Sequence, residues 1–319
     1  MNPATLETEA SARIARGYTI CIIATVLWSS AAVFIRFLTE TYQIPPLVLA
    51  FWRDLTVSVI VFGVLALLSP GKLRLDRKHL WFVALYGFVL SIFNSLWTVS
   101  VDLNGAAVST VLAYSSAAFT AVVGWRFLGE ELGWVKIIAV TLSLLGCIFV
   151  SGAYNLSAWH LNPVGVTTGL LSGAAFAGYS LMGRLSSGRN LYPWTAIGYT
   201  FAFAAILLFT YNLLTPWLPA GVGSTDFLWL GTDLTAWAIL VILAIVPTIG
   251  GYGLYTVSLT YLPASIANVI ATLEPAMTAA LAFFFLGERF SNPQWLGSLL
   301  IIAGVILLRL REGRGHRYH

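Results

Sequence analysis

The chain reads as an all-α integral membrane protein: ten transmembrane helices in two five-helix repeats of inverted topology. Three features carry that reading. There is too little charge to wet a globular surface, a succession of apolar runs has bilayer length, and lysine and arginine are placed lopsidedly along the chain.

Charged residues make up 9% of the 319 residues and hydrophobic residues 58%, whereas a soluble domain carries roughly 25% charge. A membrane helix uses about 20 apolar residues, so ten spans consume the chain. The apolar runs fall at 17–38, 46–69, 80–101, 104–127, 133–151, 163–184, 193–215, 235–257, 262–286 and 293–311. The first is longer than a signal-peptide core and no clean small-residue cleavage site follows it, so it reads as an uncleaved span. The longest connection, between spans seven and eight, contains Pro216, Pro219, Gly221 and Gly223.

Lysine and arginine concentrate in cytoplasmic loops. With the N-terminus inside, Arg13, Arg16, Lys72, Arg74, Arg77, Lys78, Arg126, Lys136, Arg184, Arg189, Arg309, Arg311, Arg314 and Arg317 fall on the inner side, and only Arg36, Arg53 and Arg289 fall on the outer. Adding or removing a middle span destroys that bias. Both chain ends are therefore expected in the cytoplasm. The net charge of +4 is an orientation signal, and no nucleic-acid partner is expected.

A shift of 158 positions aligns 94–150 with 252–308 without gaps, and more than a quarter of the positions are identical. Thr98-Val99-Ser100 meets Thr256-Val257-Ser258, and Phe127-Leu128-Gly129-Glu130 meets Phe285-Leu286-Gly287-Glu288. A weaker shift of 148 sets Trp28 on Phe176 and Arg36 on Arg184. The repeats are 1–151 and 152–319, each with five spans. Because five is odd, the second copy enters the bilayer upside down. Inverted repeats enclose a midplane site in many carriers, and rocking of the halves alternates access to it.

These motifs resemble the drug/metabolite transporter superfamily, EamA type. The resemblance rests on Leu-Gly-Glu at 128–130 and 286–288, Leu273-Glu274-Pro275 in span nine, Trp28-Ser29 in span one and Arg53 in span two. It implies a ten-helix carrier with a central cavity lined by spans one, three, four, six, eight and nine. Within that group the chain looks most like bacterial inner-membrane exporters of amino acids, aromatic ones included. Drugs, nucleosides and amines are the alternative cargo. One departure stands out: the span-four equivalent of Glu274-Pro275 is Ser116-Ala117, so the halves differ chemically and a proline-broken span four is not expected.

Polar groups at membrane depth are costly and need partners or water. Tyr86, Phe93, Asn94 and Trp97 share one face of span three at helical spacing. The repeat mates of Asn94 and Trp97 are Tyr252 and Tyr255. An aromatic–polar face of this kind suits an amphipathic solute by apolar contact and cation–π attraction; a plain helix–helix contact is the other reading. Trp28, Phe176 and Tyr179 in spans one and six, Tyr114 in span four, and Asn268 with Thr272 in span nine complete the candidate wall, with polar glue between helices as the alternative. Glu274 is the sharpest candidate. Pro275 has no N–H to give the Ala271 carbonyl, and a carboxyl at that depth could meet a substrate ammonium, carry a proton, or simply be satisfied by backbone. Pro247 with Gly250-Gly251 in span eight reads as a hinge or as a close-packing patch. Arg53 and Asp54 start span two near the outer face and pair either locally, the favoured reading, or with substrate, and Glu130 and Glu288 are expected to cap or orient helix N-termini.

Other classes find little support. Cys21 and Cys147 lie in apolar runs and read as small fillers, not a disulfide or metal site. His79, His160, His316 and His319 lie in loops or the tail, and neither HExxH nor GxSxG occurs, so an enzyme is not expected. No selectivity-filter pattern supports a channel. No cofactor is expected; the expected partners are a small zwitterionic or amphipathic metabolite, the lipid bilayer and, through Glu274, a proton.

Overall fold

The computed structural model describes residues 3–315 apart from 105, 156–161, 216–220, 222 and 287–290. Gly287-Glu288, Arg289, Pro216, Pro219 and His160 lie outside the described residues. Those described are all helix and connection: α1 (Pro3–Ser29), α2 (Ala31–Tyr42), α3 (Pro46–Leu68), α4 (Arg77–Asn104), α5 (Ala106–Tyr114), α6 (Ser116–Leu128) and α7 (Trp134–Ser151) in the first half. The second half holds α8 (Pro163–Gly188), α9 (Pro193–Leu213), α10 (Leu234–Leu243), a π-helical stretch at Ala244–Tyr252, α11 (Gly253–Ser258), α12 (Ala264–Ala271), α13 (Glu274–Leu286) and α14 (Asn292–Gly315).

Nine helical runs among the described residues are long and apolar enough to cross a bilayer. Span one is assembled from α1 and α2, and the helix breaks between them at Ser30. The Ser29 hydroxyl donates to the Val26 carbonyl at 2.7 Å and that of Ser30 to the Leu27 carbonyl at 2.7 Å. Such back-bonding competes with the helical ladder and bends it.

Three further spans are irregular at mid-depth. Span four breaks at Ser115 without a proline; the Ser115 hydroxyl and N–H both turn to the Leu112 carbonyl, at 2.5 and 3.2 Å. Span nine breaks at Thr272-Leu273, where N–H groups fall back three residues to Val269 and Ile270 at 3.2 and 3.0 Å. In span eight Pro247 cannot donate to Leu243, and the Thr248 hydroxyl takes that carbonyl at 2.8 Å. Gly250 and Gly251 let span one close on this stretch: a Cβ on Gly250 would stand 2.9 Å from Leu27, and one on Gly251 would stand 3.2 Å from Trp28.

Contacts between the ends of helices establish the inversion. Arg13, at the start of span one, donates to the Thr260 carbonyl at 3.3 Å, and Arg184, at the end of span six, donates to the neighbouring Leu259 carbonyl at 2.8 Å. Span one therefore begins on the face where span six ends. That amino-terminal face also joins Thr195 to the Lys72 carbonyl at 2.5 Å. On the opposite face Trp229 donates to the Tyr42 carbonyl at 2.9 Å and Trp52 to that of Phe227 at 2.6 Å. Packing follows the same two-fold logic: span three lies on span six as span eight lies on span one, while two–seven, four–nine and five–ten pair with their own equivalents.

Ends are closed by local chemistry. Asn162 accepts the Val164 and Gly165 N–H groups at 2.9 and 3.4 Å to open α8, and Pro46, Pro163 and Pro193 sit at first helical positions, where a missing N–H costs nothing. Asp233 caps α10; the Ala236 and Thr235 N–H groups and the Tyr42 hydroxyl hold its carboxyl below the ordinary carboxylate range. Gly129 ends α6 at φ +68°, a conformation open chiefly to glycine, which explains the glycine of Leu-Gly-Glu.

Spans five and ten meet backbone to backbone. A Cβ on Gly146 would lie 2.6 Å from the Gly297 carbonyl oxygen and 2.5 Å from Ile301. Gly63, within α3, has nothing within 4 Å of such an atom. Alanine for glycine in a helix gains roughly 0.5–1 kcal/mol in propensity, while overpacking costs about 1–3 kcal/mol. Gly63→Ala is accordingly expected to hold or raise the melting midpoint in detergent and Gly146→Ala to lower it, as read by a fluorescence thermal-unfolding scan.

Candidate functional site

The breaks in spans one, four, eight and nine surround a cavity of about 600 Å³. Its lining runs along span one from Trp28 through Ala31 and Ile35 to Glu40, and along spans two to four from Pro46 to Arg53, Phe93 to Val101 and Thr110 to Tyr114. Phe176, Tyr252, Ala271 and Glu274 close it at depth. The cavity thus opens toward the face that carries residues 40–46 and ends at mid-bundle.

Its floor is aromatic. Trp28 meets Tyr252 at 4.3 Å and Phe176 edge-on at 5.5 Å, and Phe93 lies 5.1 Å from Phe176. These are ordinary distances for attractive ring pairs, and they make a firm apolar base. Two charged clusters border it. Tyr114 donates to Glu274 Oε2, where the breaks of spans four and nine meet. On span two, Arg53 Nε donates to Asp54 Oδ1 at 3.0 Å, and Asn94 Nδ2 to Asp54 Oδ2 at 3.1 Å. Tyr252 stands within electrostatic reach of Arg53, Asp54 and Glu274.

Of the residues singled out in the sequence, Trp28, Phe93, Asn94, Trp97, Tyr114, Phe176, Tyr252 and Glu274 line this cavity. Tyr179, Tyr255 and Asn268 do not. All three are fully buried on the amino-terminal side of the floor. There Asn268 accepts from Ser116 at 2.8 Å and donates to Ser180 at 2.9 Å, Ser180 pairs with the Tyr255 hydroxyl at 2.8 Å, and Tyr179 faces Thr256 at 3.4 Å. They are glue between spans four, six, eight and nine in this conformation. Span two is a further correction: it belongs to the wall, although the sequence reading leaves it out. Arg53 sits seven residues after Pro46, about 10 Å along the helix at 1.5 Å per residue, well below the membrane face expected for it.

Beneath the floor the amino-terminal face is sealed. Glu130, from the loop after span four, reaches across to the other half and accepts the Ala264 N–H at 2.8 Å, the Ser265 N–H at 3.4 Å and the Ser265 hydroxyl, with Lys136 at 3.6 Å. These are the first free N–H groups of α12, which need an outside partner. The Leu-Gly-Glu acid caps a helix, but one of the opposite repeat and not the span that follows it.

Two inverted five-span halves, closed at one end and holding a mid-depth cavity at the other, define a membrane transporter. The EamA-like transporter model matches residues 15–152 and 163–310, once in each half, and the chain belongs to that family, within the drug/metabolite transporters. It is 29% identical over 270 residues to the uncharacterized transporter YwfM of Bacillus subtilis, spanning 79% of this chain and 85% of that one. Identity to the inner membrane transporter YicL of Salmonella typhimurium is 26% over 310 residues, 95% and 98% of the two chains. The threonine/homoserine exporter RhtA of Escherichia coli is 26% identical over 243 residues, 75% of each chain. A crystal structure superposes with a TM-score of 0.76 at 17% identity, over 93% of this chain and 98% of that one, which speaks for the fold alone.

Proposed function

We propose that this transporter exports amino acids, aromatic ones included, across the bacterial inner membrane by alternating access, with both chain ends in the cytoplasm. The observation that carries the reading is the one-sided cavity: apolar rings at its base, Glu274 at its edge, and a sealed layer below. An aromatic base accommodates the side chain of an amphipathic solute, and the carboxyl of Glu274 suits an ammonium group. The bias of lysine and arginine toward the amino-terminal face supports that face as the cytoplasmic one. The cavity then faces the periplasm, and the conformation is that of a carrier releasing its cargo. The amino-acid cargo of the RhtA relatives supports the substrate class.

Counterflow in proteoliposomes tests it. Purified protein preloaded with unlabelled amino acid should concentrate labelled amino acid transiently and saturably, beyond protein-free vesicles. Trp97→Ala and Asn94→Ala should each raise the half-saturating concentration by roughly tenfold, the scale of one lost aromatic contact or buried hydrogen bond. A panel of amino acids that all fail to move sinks the substrate class. Unchanged kinetics in both variants sinks the site.

A further inference from the structure

Arg53 is not used up by its ion pair. Only Nε engages Asp54, although a guanidinium has a fork of donors matched to a carboxylate. Asp54 is fully buried and spends its two oxygens on different partners, Arg53 and Asn94. The carboxylate is thereby pinned across spans two and three, and it holds the guanidinium in one attitude. Arg53 Nη2 is buried and has no hydrogen-bond partner among the described residues, yet the residue lines the cavity. A charged donor left empty at that depth demands an explanation. Because Asp54 offsets the positive charge, the residue attracts by directional donors and not by net field.

We propose that Arg53 anchors the substrate's carboxylate, with Asp54 and Asn94 as its positioning residues, so that the site selects α-amino acids over the corresponding amines. The inference rests on the exporter reading above and deepens it. The carboxylate docks where Arg53 lines the cavity and displaces what shields Nη2 in this conformation, the ammonium turns to Glu274, and the side chain lies over Trp28 and Phe93.

The test uses the full-length protein in proteoliposomes, with labelled phenylalanine as the moving species and unlabelled phenylalanine, phenylalaninamide and phenethylamine as competitors. Wild type should favour phenylalanine over both carboxylate-free compounds by about tenfold or more, the effect of one charge-assisted hydrogen bond or better. Arg53→Lys keeps the charge without the fork and should lose most of that preference. The double variant R53Q/D54N leaves no unpaired buried charge and should lose all of it. If wild type itself discriminates less than threefold, or if Arg53→Lys folds and keeps the full preference, the anchor is wrong while amino-acid transport stands. If phenylalanine and the rest of an amino-acid panel do not move at all, the exporter reading fails first and the anchor with it. Thermal stabilisation of the wild type in detergent should come from phenylalanine and not from phenylalaninamide, a readout that needs no substitution. Equal stabilisation by the two overturns the proposal.

Discussion

Glu130→Ala is expected to tip the transporter out of the conformation described here and to cut transport at least tenfold. The Glu130 and Lys136 side chains are only 7% and 9% exposed, so the carboxylate is neither screened nor replaced easily by water. It accepts three hydrogen bonds from the start of α12 and lies against Lys136. The three hydrogen bonds tie the loop after span four to the start of span nine at the amino-terminal face, and opening the bundle there must break them, whereas the Lys136 contact stays within the first half. The hydrogen bonds therefore stabilise one state and not the other, which is the condition for a shift in population. A hydrogen bond to a charged group is worth about 1.5–3 kcal/mol, and a bias of about 3 kcal/mol moves a two-state equilibrium by more than a hundredfold.

The measurement is labelling of Thr98→Cys, on the cavity wall, by a membrane-impermeant thiol reagent. Cys21 and Cys147 are fully buried and add little background. In an otherwise native protein Thr98→Cys should react from the face bearing residues 40–46. With Glu130→Ala added, that reactivity should fall sharply, while Glu130→Gln, which keeps one acceptor oxygen, should fall between. Undiminished labelling in a folded Glu130→Ala protein would show that the acid is a helix cap and nothing more.

Much of this architecture is legible in the sequence because the bilayer simplifies the rules. Apolar length marks a span, basic loops mark a side, and an odd number of spans per repeat dictates inversion. The breaks are harder to read. Pro247 and Pro275 announce irregular backbone, but Ser30 and Ser115 act through hydroxyls that compete for carbonyls three residues back, and most serines in helices do so without breaking them. Span four thus breaks opposite span nine although Ser116-Ala117 stands where Glu274-Pro275 does.

Helical phase, moreover, reports a face and not a depth. Tyr252 and Tyr255 stand about one turn apart on span eight; the first reaches the cavity and the second is sealed below it, because the cavity is open on one side only. Tyr179 and Asn268 fall outside the cavity for the same reason. Arg53 and Asp54 read as outer-face residues because charge usually marks a helix end. At that depth Asp54 is met by Asn94 on span three, a partner forty positions away in the chain that no local pattern connects to it.

Glu274→Gln is expected to abolish accumulation driven by a proton gradient and to weaken amino-acid binding by roughly ten- to a hundredfold, the range for a charge-assisted hydrogen bond. The residue opens α13 deep in the bundle, and Tyr114 holds one of its oxygens. The other points of the group face a cavity whose remaining wall is chiefly aromatic and aliphatic. An ammonium and a proton cannot both neutralise one carboxyl. On the exporter reading proposed above, arrival of either would weaken the hold on the other, and that exclusion would couple two movements in opposite directions. Glutamine keeps the volume and removes the competition. In proteoliposomes the variant should still exchange amino acid slowly, at a rate indifferent to an imposed pH difference, whereas wild type should respond to it. Tyr114→Phe, which leaves the acid in place but unmoored, should cost several-fold in affinity and preserve the response. Gradient-driven accumulation that survives in Glu274→Gln would move proton coupling to another group; an unchanged half-saturation would remove Glu274 from the binding site as well.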